Sequence, residues 1–397
     1  MKKGSMKYPG HRRRFKLVTF FSILTSCLLI SSHVHLNNHK PKLNIHYTLN
    51  YAGDTWEKNR TGLLWSLSYL GAELPKNSFD SSITWLNERT FNLNFGMLGF
   101  SDRALQALQL ICDSLKETRV YKKTNSVDLG HFVTIVLGSS WHYYQITEAP
   151  KTYKDFTRLH NFTNYEVMPI TRSSVSHHHR LLKMLLKDSI LHSAFVAEEG
   201  EGELTSGTFN ALEYETMDVM KNGQLRFMIY NQDGVLTAAG NKSFGAAGKP
   251  VKCVWCHEIS IQPLFGTTDT IKGFMNQDEF AGKIKVQSDL LKAYRLSLKG
   301  DIDFSKLQDH TYQELIYISF MEPSMQRLSQ EWNMPAKKIQ ALLKNKPSHI
   351  HHEFGFLGEL YDRKDLVNST RYHPGTLPMS IREENEAEPN FFKAINR

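Results

Sequence analysis

Two thiols three residues apart, with an imidazole directly after the second, set the strictest geometric demand in this 397-residue chain: Lys252-Cys253-Val254-Trp255-Cys256-His257-Glu258. On one turn of helix, positions i and i+3 share a face. The thiols then point the same way, and the imidazole projects close by. A fold carrying this segment must leave room for a group that all three residues grip, complete a metal shell around the thiolates, or let the sulfurs pair. A redox dithiol uses the two cysteines alone, in a strand–turn–helix setting. The small-residue loop from Gly240 to Gly248 suits that setting poorly. A structural zinc site needs both thiolates plus histidines, for instance from His349, His351 and His352. A plain disulfide leaves His257 without a role.

The segment resembles the haem-attachment motif C-x-x-C-H of c-type cytochromes. The resemblance is confined to the motif and its flanks, Pro250 to Gly266, and does not imply a cytochrome fold. It implies a covalent haem c, with thioethers from Cys253 and Cys256 to the two vinyl groups and His257 as iron ligand. Pro263, Leu264 and Gly266 are similar to the Pro-x-x-Gly stretch that follows the motif in small cytochromes. There a proline carbonyl holds the proximal imidazole, although Pro263 stands earlier than that pattern has it. Low-spin electron-transfer haems take Met or His on the far side of the iron, whereas haem enzymes leave that position open. Met321 is the candidate at the separation single-haem cytochromes use. Met275, Met325, the His349–His351–His352 cluster and the His177-His178-His179 triplet are further candidates, each with a plainer role in packing or in a polar loop.

The N-terminus says where the body of the chain goes. Lys2, Lys3, Lys7, Arg12, Arg13, Arg14 and Lys16 precede the apolar run Leu17–Ser32, and no acid occurs before residue 27. This is the layout of a secretory signal, and it is short for a membrane span, which needs about 20 residues. Leu24-Thr25-Ser26-Cys27 resembles a bacterial lipobox, which implies a lipid on Cys27. Leu28-Leu29-Ile30 prolong the apolar run, so an uncleaved anchor helix and a plain cleaved signal stay open. Each option puts the body in the bacterial cell envelope, on the periplasmic side. Those seven basic residues also account for nearly all of the net charge of +8. The remainder is almost neutral and has no basic stripe, which excludes nucleic acid as a partner.

Periodicity predicts an α+β chain. Residues 1–32 are signal or anchor and 33–50 a polar tether. Region 51–164 is mainly helical: Leu63, Leu64, Leu67, Leu70 and Leu74 follow a helical period up to Pro75, and a second helix over 101–120 is capped by Ser101. Cys112 lies on the apolar face of that helix as a small core residue. Phe132–Leu137 is a buried helix or strand. Region 165–266 is β-rich and bears the motif. Strands are expected at Tyr165–Met168 and Ala194–Ala197, and a tight hairpin at Tyr214–Met220 and Gln224–Tyr230, because Asn222-Gly223 both tolerate positive φ. Region 267–363 is helical again, with Gln313–Phe320, Met325–Trp332 and Ala336–Leu343 broken at Pro323 and Pro335. Residues 364–397 form a loosely packed polar tail. Glu198, Glu199, Glu201 and Glu203 lack a calcium-loop pattern and read as a solvated turn. Trp141-His142-Tyr143-Tyr144 reads as packing.

The expectation is a membrane-tethered monohaem protein that passes single electrons to an unknown redox partner, a task needing no catalytic base or nucleophile. A haem enzyme or sensor with an open iron, and a non-catalytic envelope protein holding zinc or a CxxC disulfide, are the alternatives.

Overall fold

The structure is a computed structural model that describes residues 40–173, 176, 179–366, 372, 376–378 and 388–393. The chain divides into Met1–Lys40 and one compact unit, Pro41–Arg397. The signal segment with Cys27, and His177 and His178, lie outside the described residues. Among the described residues no helix is long and apolar enough to cross a membrane. The architecture is α+β.

The expected tether is not one beyond residue 41. Lys42–His46 form strand β1, in which Leu43 and Ile45 are completely buried. Alternating apolar residues at period 2 place these two on the core face. β1 pairs antiparallel with β3 (Thr90–Asn94), which pairs with β2 (Ile83–Asn87), and parallel with the two-residue β4 (Val127–Asp128). Region 51–164 thus carries three strands beside its helices, and β1 from the expected tether completes a four-stranded sheet. The sequence reading missed it because the strands are short and half polar.

Helix α1, Trp56–Tyr69, starts where the Thr55 side chain accepts from the Lys58 N–H. Its last two turns are buried on every side, so it is a central helix and not an amphipathic surface one. Helix α2, Asp102–Lys116, is capped by Ser101 as expected and buries Cys112 with Leu108, Ile111 and Leu115. Phe132–Leu137 turns out to be helical: α3 (Leu129–Val133) runs into a π-helical turn, Thr134–Gly138, all of it buried. Helix α4 (Ser140–Ile146) follows, with His142 fully buried.

The second sheet is an antiparallel meander, β5 (Glu166–Ile170), β6 (Arg180–Leu185), β7 (Ala194–Glu201), β8 (Asn210–Val219) and β9 (Leu225–Asn231). Glu198 and Glu199 are not in a solvated turn. They sit buried in β7, where Glu199 pairs with Arg180 and Glu198 with Lys183. Burial of a carboxylate is tolerated when a cation meets it.

Helix α5 (Pro250–Cys256) carries the motif and packs on β9. Then come α6 (Gln277–Ser297), α7 (Thr311–Met321), α8 (Met325–Trp332) and α9 (Ala336–Leu343), close to the expected spans. A two-stranded ribbon, β10 (His349–Ile350) with β11 (Glu359–Leu360), follows. The tail is not loose where it is described. Tyr372 and Leu377 join Phe320 in a small core cluster, and Phe391 packs on the His142 ring at 4.6 Å between centroids.

Candidate haem site

Strand register builds the floor of the site. Side chains alternate across a sheet, so residues paired directly opposite share a face. Leu182, Ala197, Glu215 and Ile229 form one such row, and Phe195, Met217 and Phe227 belong to the next. All seven line one cavity. Helix α5 forms a wall with Cys253, Cys256 and His257, helix α6 adds Phe280 and Ile284, and the loop Ile261–Phe265 closes over it. The cavity has about 140 Å³ of free volume, below the ~300–1,000 Å³ typical of ligand pockets, so a porphyrin would need its walls to part.

Local sequence positions the wall. Pro250 stands in the first turn of α5, where its missing N–H costs nothing. Trp255 donates its indole N–H to Gln313 Oε1 at 2.8 Å and meets Tyr317 edge-on, which fixes the helix against α7. His257 caps the helix, and its ring lies 5.2 Å from that of Phe227. The next two residues, Glu258 and Ile259, both have positive φ, at 45° and 60°. For a β-branched residue that conformation is an outlier, and such strain gathers at functional sites. It turns the chain sharply after His257, so that Ile261, Pro263 and Leu264 return to line the same cavity.

Electrostatics separate the chemistries open to the motif. Neither motif cysteine forms a disulfide among the described residues. Burial pushes the Cys253 thiol far above its ordinary range, with Glu215 adding to the effect. A thiol held protonated is a poor nucleophile. Burial also pushes His257 down to about 4, against an opposing pull from the Ser260 backbone. The imidazole is therefore neutral at pH 7, the form that ligates a metal. Its Nδ1 is buried with no hydrogen-bond partner, so the Pro263 carbonyl does not hold the ring here. Charged groups stand at the margin: Arg180, paired with Glu199 and at 3.4 Å with Glu215, and Lys252, whose Nζ donates to the Ala246 carbonyl.

The other candidate residues lie elsewhere. Met321 lines a neighbouring cavity with Cys256, His310, His351 and His352; His257 does not line it. Met275 belongs to the main core, and Met325 is exposed. His351 is buried and stacks on His352. His179 lies 3.9 Å from Glu203. Among the described residues, one group of three His, Cys, Asp or Glu ligand atoms lies within 4.8 Å of one another: Glu322, His349 and Asp362. The motif thiols are not part of it. Reading the sequence missed Met217 and Arg180. The signal was available: pairing β8 with β9 about Asn222-Gly223 puts Met217 opposite Phe227 on the face that α5 covers.

No family model matches the chain, and neither a curated protein nor a solved structure matches it.

Proposed function

We propose that this protein is a c-type monohaem electron carrier, with Cys253 and Cys256 bonded to the porphyrin and His257 ligating its iron. One observation carries the reading: Cys253, Cys256 and His257, within one helical turn, line one apolar cavity, and the imidazole among them is buried and neutral. A bound haem supplies reversible one-electron chemistry at iron. The chain's own part is to exclude water with Phe195, Phe227, Phe265 and Phe280, to orient the ring of His257 against Phe227, and to meet the porphyrin's anionic side chains with Arg180 and Lys252. Met217 and Met228 both line the cavity with His257; Met217, in the floor row opposite Phe227, would replace Met321 as the candidate second ligand. The basic and apolar N-terminal segment supports a place on the periplasmic side of a bacterial membrane, held there by Cys27 lipid or by an anchor helix.

The test is an absorption spectrum and a denaturing haem stain of protein made in a strain that matures c-type haem. A covalent haem retained through denaturation, and lost in the Cys253→Ala/Cys256→Ala double variant, is the expected result. Protein that matures with free thiols and no Soret band overturns the reading. In the haem-loaded protein, Met217→Ala is expected to convert a low-spin ferric spectrum to high-spin, whereas Met321→Ala leaves it unchanged. A high-spin spectrum already present in the unaltered protein assigns the open-iron function instead, that of an enzyme or sensor.

A further inference from the structure

The four-stranded sheet carries a second constellation, far in sequence from the haem motif. β1 and β4 run parallel and place His46 beside Asp128. Ser126 stands two residues before Asp128, just ahead of β4. Ser126 Oγ lies 2.8 Å from His46 Nδ1, and His46 Nε2 lies 3.8 Å from Asp128 Oδ2. A hydroxyl, an imidazole and a carboxylate therefore follow one another, and all three border a polar cavity of about 320 Å³.

The carboxylate is held more firmly than packing alone requires. Asp128 Oδ1 accepts from the N–H groups of Gly130 and His131, at the start of α3, and lies 2.7 Å from Arg327 Nη2. Oδ2 accepts from Thr48 at 3.0 Å and faces the imidazole. Burial works against ionisation, but Arg327 and His46 draw this carboxyl well below the usual carboxylate range. It is an anion at every pH of interest, placed to favour an imidazolium as one forms. Structural explanations cover the Asp128–Arg327 pair. They do not explain why the hydroxyl and the ring of a partly exposed histidine should face a polar cavity.

We propose that Ser126, His46 and Asp128 form a nucleophilic hydrolytic site, acting on small polar carboxylic esters. Triads are recognised by geometry and role, not by chain order. Here the ring presents Nδ1 to the hydroxyl. Ser126 Oγ attacks the ester carbonyl carbon while His46 Nδ1 takes the hydroxyl proton. The carbon–oxygen bond to the alcohol then breaks, and His46 returns the proton to the departing alkoxide. Water, deprotonated by the same nitrogen, releases the carboxylic acid and restores Ser126. The walls are Thr48, Thr90 and Thr124 with few apolar groups, which selects short polar acyl chains. Arg89, on the same wall, is the cation placed to meet negative charge on the bound ester.

The site does not depend on haem, so the full chain can be tested with or without it. A fluorophosphonate probe and p-nitrophenyl acetate are the reagents, with mass spectrometry to locate the label. The expected result is label on Ser126, a burst of p-nitrophenol close to one equivalent, and loss of label in Ser126→Ala. His46→Gln should slow labelling on the order of 10²–10⁴-fold, the usual worth of a general base. Ser126→Ala and His46→Gln leave the Asp128–Arg327 pair intact, and an unchanged Tm shows that they fold. Label on another serine, or labelling at an undiminished rate in folded His46→Gln, overturns the proposal. So does an unaltered protein that is folded and takes neither label nor burst.

Discussion

Single residues in this molecule are tuned mainly by burial. Asp218 is buried in β8, where Arg226 meets it at 2.5 Å and His160 Nε2 at 2.9 Å. Burial opposes its charge, but Arg226 and His160 outweigh that and hold its carboxyl at about 2. A depressed carboxylate stabilises the fold above the unfolded value near 4, and the contribution is lost as pH falls through about 2. Asp218→Asn leaves Arg226 buried without its anion. A loss of about 3–5 kcal/mol is expected in urea denaturation at pH 7, with a flatter stability curve between pH 4 and 2. His131 works over a different window. Burial lowers it to about 4, so it is neutral in the fold but protonates near 6.5 once unfolded. Its stabilisation is complete above about pH 6.5 and lost as pH drops toward 4. Its Nε2 has no hydrogen bond, and its ring stacks on Phe320 at 5.4 Å. His131→Phe keeps the stacking and removes the titration. The denaturation midpoint should then depend less on pH between 6.5 and 4, and an unaltered slope would contradict this account.

At the scale of elements, two close contacts decide how the pieces meet. The β8–β9 hairpin does not use positive φ at both central residues. Gly223 alone has it, at 80°, and the loop is a turn closed by Gly223 N–H to Met220 O (2.9 Å) and Met220 N–H to Gln224 O (2.8 Å). Asn222 serves another purpose. Its buried amide donates to the carbonyls of Ser68 and Ala72, at 2.7 and 2.9 Å, and ties the hairpin to the end of α1. Asn222→Ala leaves those carbonyls unpaired and should cost about 1–3 kcal/mol, measurable as a lower urea midpoint with an unchanged m-value. The second contact is at Gly62, where α1 crosses α7. A Cβ there would lie 2.5 Å from Ile316 Cδ1 and 2.6 Å from the Tyr312 carbonyl oxygen. The oxygen is backbone and cannot swing aside. Alanine elsewhere in a helix gains up to ~1 kcal/mol over glycine; at Gly62 it should lower Tm instead, because overpacking costs ~1–3 kcal/mol.

Across the whole molecule, distant segments converge on the motif helix. Lys249, which precedes α5, is almost completely buried and forms an ion pair with Glu388 from the C-terminal tail. Glu388 also accepts from the Ser140 N–H at 2.9 Å, at the start of α4. A tail more than a hundred residues downstream thus anchors the helix that carries Cys253, Cys256 and His257. Removing residues 388–397 strands a buried ammonium, a change of about 3–5 kcal/mol. The truncated chain should show faster hydrogen exchange in residues 250–257 than in α2, which the tail does not support. Equal protection at both places would mean that the tail does not hold the motif.

What the sequence determined by itself is local. The α+β class, the helices at 56–69, 102–116, 325–332 and 336–343, the cap at Ser101, and the hairpin at Asn222-Gly223 follow from periodicity and from backbone preferences that act within a few residues. The motif likewise announced its three side chains, because their relation is one helical turn. Tertiary structure decided everything that depends on register or long separation. It made a strand of Lys42–His46, since Leu43 and Ile45 alternate too briefly to be told from a polar linker until β3 pairs with them. It buried Glu198 and Glu199, whose cations arrive on β6. It put Met217 in the cavity that Cys256 and His257 share and Met321 in the neighbouring one that Cys256 also borders, the first decided by which face of the β8 strand meets α5. It also brought His46 to Ser126 and Asp128 across eighty residues, a proximity that parallel pairing creates and no local pattern records.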